Sequence, residues 1–112
     1  MSSAGDYGRA SEARAAAFLR SRGLRILQQN LRGPSGEIDI VALDGATLVF
    51  VEVKARRSAR FGPALAAVDA RKRRRLRNAA ADYLQFVDAV RVRFDVVTIE
   101  GDALHLHRGA FA

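Results

Sequence analysis

The feature that most constrains this fold is a pair of apolar segments on either side of Asp44-Gly45. An Asp-Gly pair between alternating apolar residues is a strong hairpin signal, and it predicts strands at Glu37–Leu43 and Leu48–Ala55. Each strand also carries ionisable residues, in Gly-Glu-Ile-Asp-Ile (36–40) and Phe-Val-Glu-Val-Lys (50–54). Burying an unpaired charge is costly, so charged groups in strands of core-like composition indicate a functional site.

The hairpin geometry brings two of these carboxylates together. Glu52 and Lys54 are two residues apart on a strand and therefore point to one face. A loop spanning residues 44–47 places Asp39 directly opposite Glu52, whereas a two-residue Asp44-Gly45 turn makes it the diagonal neighbour. Both registers leave Asp39 and Glu52 on the same side, and we expect them to lie near enough to share one ion.

The predicted cluster has the chemistry of a site for a hard metal ion. Neighbouring carboxylates repel each other unless a cation joins them, and oxygen ligands favour Mg²⁺, with Mn²⁺ as an alternative. Lys54 beside such an ion could orient or help deprotonate an attacking water and offset charge on a phosphorane-like transition state. The candidate ligands offer oxygen donors and are Asp39, Glu52, the backbone carbonyl of Val53, and either Glu12 or Glu37.

The remaining chain predicts one α/β domain over residues 1–112, with residues 1–5 as a flexible start. Helical spacing of Ala13, Ala16, Ala17 and Leu19 predicts a first helix, and Glu12 on the same stripe is expected to face the sheet. The predicted elements have the order αβββαββ, which favours a mixed sheet flanked by helices. They are a helix over 6–22, strands over 24–30, 37–43 and 48–55, a helix over 63–87, and strands over 90–99 and 103–108.

Charge adds a second line of evidence. A net charge of +7 points to a polyanionic partner, nucleic acid before membrane, although compositional drift toward Arg and Ala is an alternative. Lys72, on the apolar stripe of the second helix, is interpreted as a phosphate or carboxylate contact, or as a side chain that snorkels to water. The candidate phosphate contacts are all basic and are Arg56, Arg57, Lys72, Arg73, Arg74, Arg75 and Arg77.

Composition also bears on location and redox chemistry. No run approaches the roughly 18 apolar residues of a membrane helix, and the N-terminus lacks the apolar core of a signal peptide. The absence of cysteine excludes disulfides and thiolate metal sites. We therefore expect a cytoplasmic protein that does not associate with membranes.

These motifs resemble the PD-(D/E)XK nuclease superfamily and, more closely, the YraN family of small bacterial endonuclease-like proteins. The resemblance covers about residues 5 to 100, and Ile38 stands where the superfamily name has Pro. It implies a restriction-endonuclease-like fold with an αβββαβ core. It further implies a Mg²⁺-dependent nuclease acting on DNA, including branched or structured DNA such as Holliday junctions. The catalytic set that it implies is Glu12, Asp39, Glu52 and Lys54.

Two other functions stay open at this point. A non-catalytic nucleic-acid-binding module on a nuclease-like scaffold suits the charge equally well, and a ribosome-associated basic protein explains the charge but not the carboxylates. DNA is favoured over RNA, and a homodimer is an open alternative. Elsewhere, we interpret Asp95 as a member of a structural ion pair with Arg91 or Arg93. His105 and His107 are interpreted as exposed polar residues, with a metal site as the alternative.

Overall fold

The computed structural model describes residues 3–57, 63–88 and 91–111, with side chains described from Gly8 onward. The elements, in chain order, are α1 (Ser3–Ser21), β1 (Arg25–Gly33), β2 (Gly36–Asp44), β3 (Thr47–Arg56), a 3₁₀ helix (Ala64–Ala67), α2 (Ala70–Leu84), β4 (Arg91–Glu100) and β5 (Ala103–Phe111).

The strands form one five-stranded sheet in the order β1-β2-β3-β4-β5. Strands β3 and β4 pair in parallel, and the other neighbours pair antiparallel. A parallel pair needs a crossover connection, and here the crossover carries the 3₁₀ helix and α2. The predicted α/β class, with a mixed sheet and flanking helices, is confirmed.

The two helices cover opposite faces of the sheet. On one face, Leu19 of α1 packs with Val49 and Val51 of β3; on the other, Phe50 of β3 packs with Ala79 of α2. Alternate residues of β3 therefore enter different core clusters, as the strand period requires. On α1, Ala15, Ala16 and Leu19 are the buried residues. The prediction that Ala13 and Ala17 belong to the buried stripe is wrong, because both are exposed.

The prediction of one helix from Pro63 to Val87 is also wrong. The segment is a short 3₁₀ helix followed by α2, which begins after Asp69. The Asp69 side chain accepts a hydrogen bond from the Lys72 backbone N–H at 3.0 Å and so caps the new N-terminus. The dihedral angles of Val68, φ −90° and ψ 76°, lie outside the helical region. The break sets the first turn of α2 beside the end of β3.

Other boundaries differ by a few residues. β1 continues to Gly33 and β5 to Phe111, each three residues beyond the predicted end. Within the expected flexible start, residues 3–5 are helical, whereas residues 1 and 2 lie outside the described residues. Residues 58–62, between the predicted third strand and second helix, lie outside them too. No helix among the described residues is long and apolar enough to cross a membrane.

Candidate functional site

The β2–β3 hairpin has the first of the two predicted registers. Leu43 pairs with Leu48, and the ladder runs from Asp44–Thr47 to Ile40–Val51. Gly45 occupies the turn with φ 60°, a conformation that glycine adopts without strain. The same register continued by one residue sets Asp39 against Glu52. The backbone ladder stops just before this pair.

The side chain of Asp39 forms a hydrogen bond to β3 at the point where the backbone pairing of β2 and β3 ends. Its Oδ2 accepts a hydrogen bond from the Val53 N–H at 2.8 Å, which satisfies a donor that the β2 backbone no longer reaches. The alternation of side chains along β2 also breaks here, because Ile38 packs in the α2-side core and Ile40 in the α1-side core. Asp39 therefore lies between the two layers.

Two adjoining pockets form a cleft, and Asp39 lines both of them. The α1-side pocket, of about 250 Å³, is lined by Ser11 and Glu12 of α1 together with Lys54. The α2-side pocket, of about 210 Å³, is lined by residues of the β2 start and of the first turns of α2. Both pockets share Asp39, Glu52 and Lys72. The cleft thus joins residues from both helices and both hairpin strands.

Four carboxylates gather in this cleft. Oxygen atoms of Glu12, Glu37 and Asp39 lie within 4.8 Å of one another. Glu52 is 5% exposed, and its carboxyl group is within hydrogen-bonding reach of Asp39. The expected proximity of Asp39 and Glu52 is confirmed. Glu37 is the most exposed of the four, and its Oε2 lies 3.9 Å from the Nε of Arg32.

The carboxylates change the acidity of their neighbours. The pKa of Asp39 is raised to about 8, first by burial and then by the negative charge of Glu52, against the opposing hydrogen bond from Val53 N–H. Burial also raises the pKa of Glu12, with Glu37 and Glu52 adding to the effect and a hydrogen bond with the Asn30 side chain opposing it. The site therefore favours binding either protons or a cation.

Glu52 also contacts a basic side chain from α2. The Nζ atom of Lys72 lies 2.8 Å from Glu52 Oε1, and the two side chains are 29% and 6% exposed. The carboxylate contact considered for Lys72 from its position on the helix is the one observed.

The other predicted phosphate contacts divide by location. Arg75 lines the α2-side pocket, and Arg74 and Arg77 are exposed on α2. Arg73 faces elsewhere: its Nε donates to the Val68 carbonyl at 3.0 Å, and its guanidinium lies 5.7 Å from the centroid of the Phe111 ring. Near the end of β3, Arg57 is exposed, whereas Arg56 is half-buried.

Two contributors to the site were missed from sequence. Ser11 is 3% exposed, and its hydroxyl finds no hydrogen-bond partner among the described residues. Asn30 contacts Glu12 from a backbone conformation with φ 53°. The sequence signal for Asn30 was its residue type, since asparagine tolerates the left-handed region better than most residues. A serine next to a glutamate carries no comparable signal.

The predicted structural ion pair is confirmed outside the cleft. Buried Asp95 accepts from Arg93 Nε at 2.9 Å and from the backbone N–H of Gly109 at 2.9 Å. His107 Nε2 lies 2.9 Å from the hydroxyl of Thr98, and His105 is exposed. The acidic group at Glu12, Glu37 and Asp39, not the histidines, is the candidate metal cluster of the described residues.

Fold and site together define an α/β protein whose carboxylates gather where a central hairpin opens. The chain belongs to the uncharacterised protein family UPF0102, whose family model matches residues 11–99. Membership of this family, the YraN family of the predicted resemblance, is thereby confirmed.

Relatives from several bacteria match most of the chain. A UPF0102 protein of Ectopseudomonas mendocina is 52% identical, over 88% of this chain and 86% of its own. One of Solibacter usitatus is 47% identical, over 95% and 86%, and one of Deinococcus radiodurans is 49% identical, over 86% and 81%. The residues matched by the family model span the second half of α1, the hairpin and α2.

Proposed function

We propose that this protein is a metal-dependent nuclease that hydrolyses phosphodiester bonds in DNA, including branched or structured DNA. The observation that carries the proposal is the meeting of Asp39 and Glu52 with Lys54 in one cleft. A protein with net charge +7 has many cations for pairing acids, yet it gathers the carboxylates of Glu12, Glu37 and Asp39 within 4.8 Å of one another, and Glu52 lines the same cleft. Such an arrangement costs folding free energy unless a ligand uses it.

The residues fit a hard divalent cation. Their donors are carboxylate oxygens, and the raised pKa of Asp39 reflects burial beside a second carboxylate. Asp39, Glu52 and the Val53 carbonyl would hold the ion, with Glu12 or Glu37 as a further ligand. A bound Mg²⁺ or Mn²⁺ would make water more acidic and withdraw charge from a phosphate oxygen.

The protein's own side chains would supply the rest of the chemistry. The hydrogen bond from Val53 N–H fixes the orientation of Asp39, so this acceptor need not reorganise during the reaction. Lys54, in the same pocket, would orient water and stabilise charge that develops on the phosphate. Arg74 and Arg75 on α2 would hold flanking phosphates of the nucleic acid.

A cleavage assay tests this proposal. Linear, nicked and four-way DNA would be incubated with the protein and with Mg²⁺, Mn²⁺ or a chelator. We expect cleavage only with a divalent ion, and its loss in Asp39→Asn. Asp102→Asn is the matched control, since Asp102 is an exposed acid in the β4–β5 turn. Activity that survives in Asp39→Asn would contradict the assignment of the site.

A non-catalytic nucleic-acid-binding module is the second candidate function. The exposed arginines of α2 favour it independently of the carboxylates, since they suit phosphate binding without any chemistry. Wild-type protein that binds DNA but cuts neither DNA nor RNA with any divalent ion would establish this alternative.

A further inference from the structure

The Lys72–Glu52 ion pair occupies part of the candidate metal centre. Its 2.8 Å separation is that of a direct charge-assisted hydrogen bond, and Glu52 is almost completely buried. The pair joins the first turns of α2 to β3 across the cleft. Glu52 therefore already has a cationic partner within the protein itself.

Lys72 lies at the N-terminal end of its helix, where a positive charge is unfavourable, so the ion pair with Glu52 needs an explanation. Asp69 caps α2 by accepting from the Lys72 N–H, so Lys72 lies in the first turn. The helix dipole disfavours a positive charge there. The compensating attraction comes from the cleft, where Glu52 contacts the ammonium directly and Asp39 lines the same pockets.

Lysine at position 72 is also unusual, because this chain uses arginine at nearly every other basic position. The chain contains seventeen arginines and two lysines, and both lysines, Lys54 and Lys72, line the α1-side pocket. An arginine would bind the carboxylate through a planar two-pronged contact. A lysine ammonium is a single rotatable point charge on a flexible stem, and it can leave one acceptor for another.

We propose that Lys72 is the resident counter-ion of Glu52, which a divalent cation displaces, and that the released ammonium then contacts a nucleic-acid phosphate. This inference rests on the proposed function, because it takes Glu52 to be a metal ligand and nucleic acid to be the substrate. Lys72 thus positions Glu52 before the ion binds and becomes a substrate contact after its release.

Room for the exchange exists in the structure. Lys72 retains 29% exposure and borders the 210 Å³ pocket together with Arg75, so a phosphate entering there would meet two cations. Binding of the cation should then strengthen binding of the phosphate, and the reverse, because the cation releases Lys72 from Glu52 and the phosphate gives Lys72 a new partner. Thermodynamic linkage makes this coupling reciprocal.

The test measures Mn²⁺ affinity of the full chain without DNA, by electron paramagnetic resonance of the free ion. We expect Lys72→Gln to bind Mn²⁺ at least about fivefold more tightly than wild type, the lower end of typical coupling between sites. Arg75→Gln is the matched control, because it removes one positive charge from the same pocket, and it should change affinity less than about twofold. Lys72→Arg keeps the ion pair and should bind Mn²⁺ no more tightly than wild type.

Each outcome is decisive. Thermal unfolding first establishes that the variants are folded. If Lys72→Gln does not fold, the Mn²⁺ affinity of Lys72→Arg still tests the proposal. Unchanged or weaker binding by folded Lys72→Gln, or tighter binding by Lys72→Arg, overturns the displacement while leaving the metal centre in place. If neither wild type nor any variant binds Mn²⁺, the metal centre of the proposed function fails and the inference fails with it.

Discussion

At the scale of single residues, Asp39 combines a structural contact with an electrostatic cost. Its carboxylate satisfies the Val53 N–H at the point where the β2–β3 ladder ends. The same group lies beside Glu52 with a pKa raised to about 8, so its charged form is unfavourable near neutral pH. The residue supports the fold through its acceptor atom and opposes it through its charge.

Asp39→Asn separates these two effects. Asparagine keeps an acceptor for Val53 N–H but carries no charge. Because the pKa of Asp39 in the folded state exceeds its ordinary value of 3.8, folding stability is lost as pH rises between about 4 and 8. We expect Asp39→Asn to be more stable than wild type by on the order of 1–3 kcal/mol above pH 8, with the difference vanishing near pH 4.

Urea unfolding at several pH values, without metal, measures this difference. Asp102→Asn, an exposed acid in a turn, should show no such pH-dependent gain. A marked loss of stability in Asp39→Asn at pH 8 would instead assign Asp39 a purely structural role.

Lys54 provides a second test of a single residue. Lys54→Ala should bind DNA about as well as wild type but cleave it at least about a hundredfold more slowly, because it removes a contact that matters chiefly in the transition state. Lys54→Arg should fail nearly as badly, since a planar guanidinium neither replaces a point charge nor gives up its proton. Binding and cleavage measured side by side check both variants. A parallel loss of affinity and rate would make Lys54 a simple binding residue.

The residues that could be predicted from sequence are those related by strand geometry. Asp39 and Glu52 belong to one hairpin, so the turn and the period of two sufficed to bring them together. The Lys72–Glu52 contact and the burial of Ser11 depend on how the helices pack against the sheet. A carboxylate contact was one of the interpretations of Lys72, but helical periodicity gives the face of a helix and not its axial position, so neither Glu52 as its partner nor the burial of Ser11 could be predicted.

At the scale of elements, the interruption between the 3₁₀ helix and α2 decides where Lys72 lies. The apolar stripe continues through Val68 and Leu76 at helical spacing, which is why one long helix was predicted. Hydrophobic periodicity does not reveal an interruption as short as the one between Ala67 and Ala70. The aspartate at position 69 was a signal for a new helix start, because its side chain competes for free backbone N–H groups.

Asp69→Ala should therefore weaken both the helix and the cleft. Loss of the cap is expected to cost about 1 kcal/mol of folding stability. Because the capped N–H is that of Lys72 itself, fraying of this turn should also loosen the Lys72–Glu52 pair and raise Mn²⁺ affinity. Urea unfolding and Mn²⁺ titration check the two effects. Asp88→Ala, an exposed acid beyond the end of α2, is the control and should change neither.

At the scale of the whole molecule, charge is unevenly distributed. A net charge of +7 coexists with a cleft that is lined by four carboxylates, and Arg75 of α2 borders this cleft. This distribution suits a ligand whose phosphates contact the helix while one phosphate meets the cleft. The total charge could be predicted from composition, but composition could not show that Arg73 is directed away from the cleft, toward Val68 and Phe111.

Salt dependence of DNA binding tests this distribution. The double substitution Arg74→Gln and Arg75→Gln should weaken binding and make the slope of log K against log salt shallower by about 0.9 per lost phosphate contact. Arg73→Gln is the matched control, because its guanidinium is directed to Val68 and Phe111, and it should leave the slope nearly unchanged. Equal slopes for all three proteins would place the nucleic-acid surface elsewhere.

The sheet order has a consequence for how the chain folds. Strands lie in the sheet in the order in which they occur along the chain, so β1, β2 and β3 can assemble through local turns. Local pairings form faster than the β3–β4 pairing, which must wait for the crossover to close. Asp39 and Glu52 belong to this early three-stranded unit, whereas Lys72 arrives with the crossover. We therefore expect the refolding rate to fall as Asp39 ionises, and Asp39→Asn to refold at a rate that no longer follows pH.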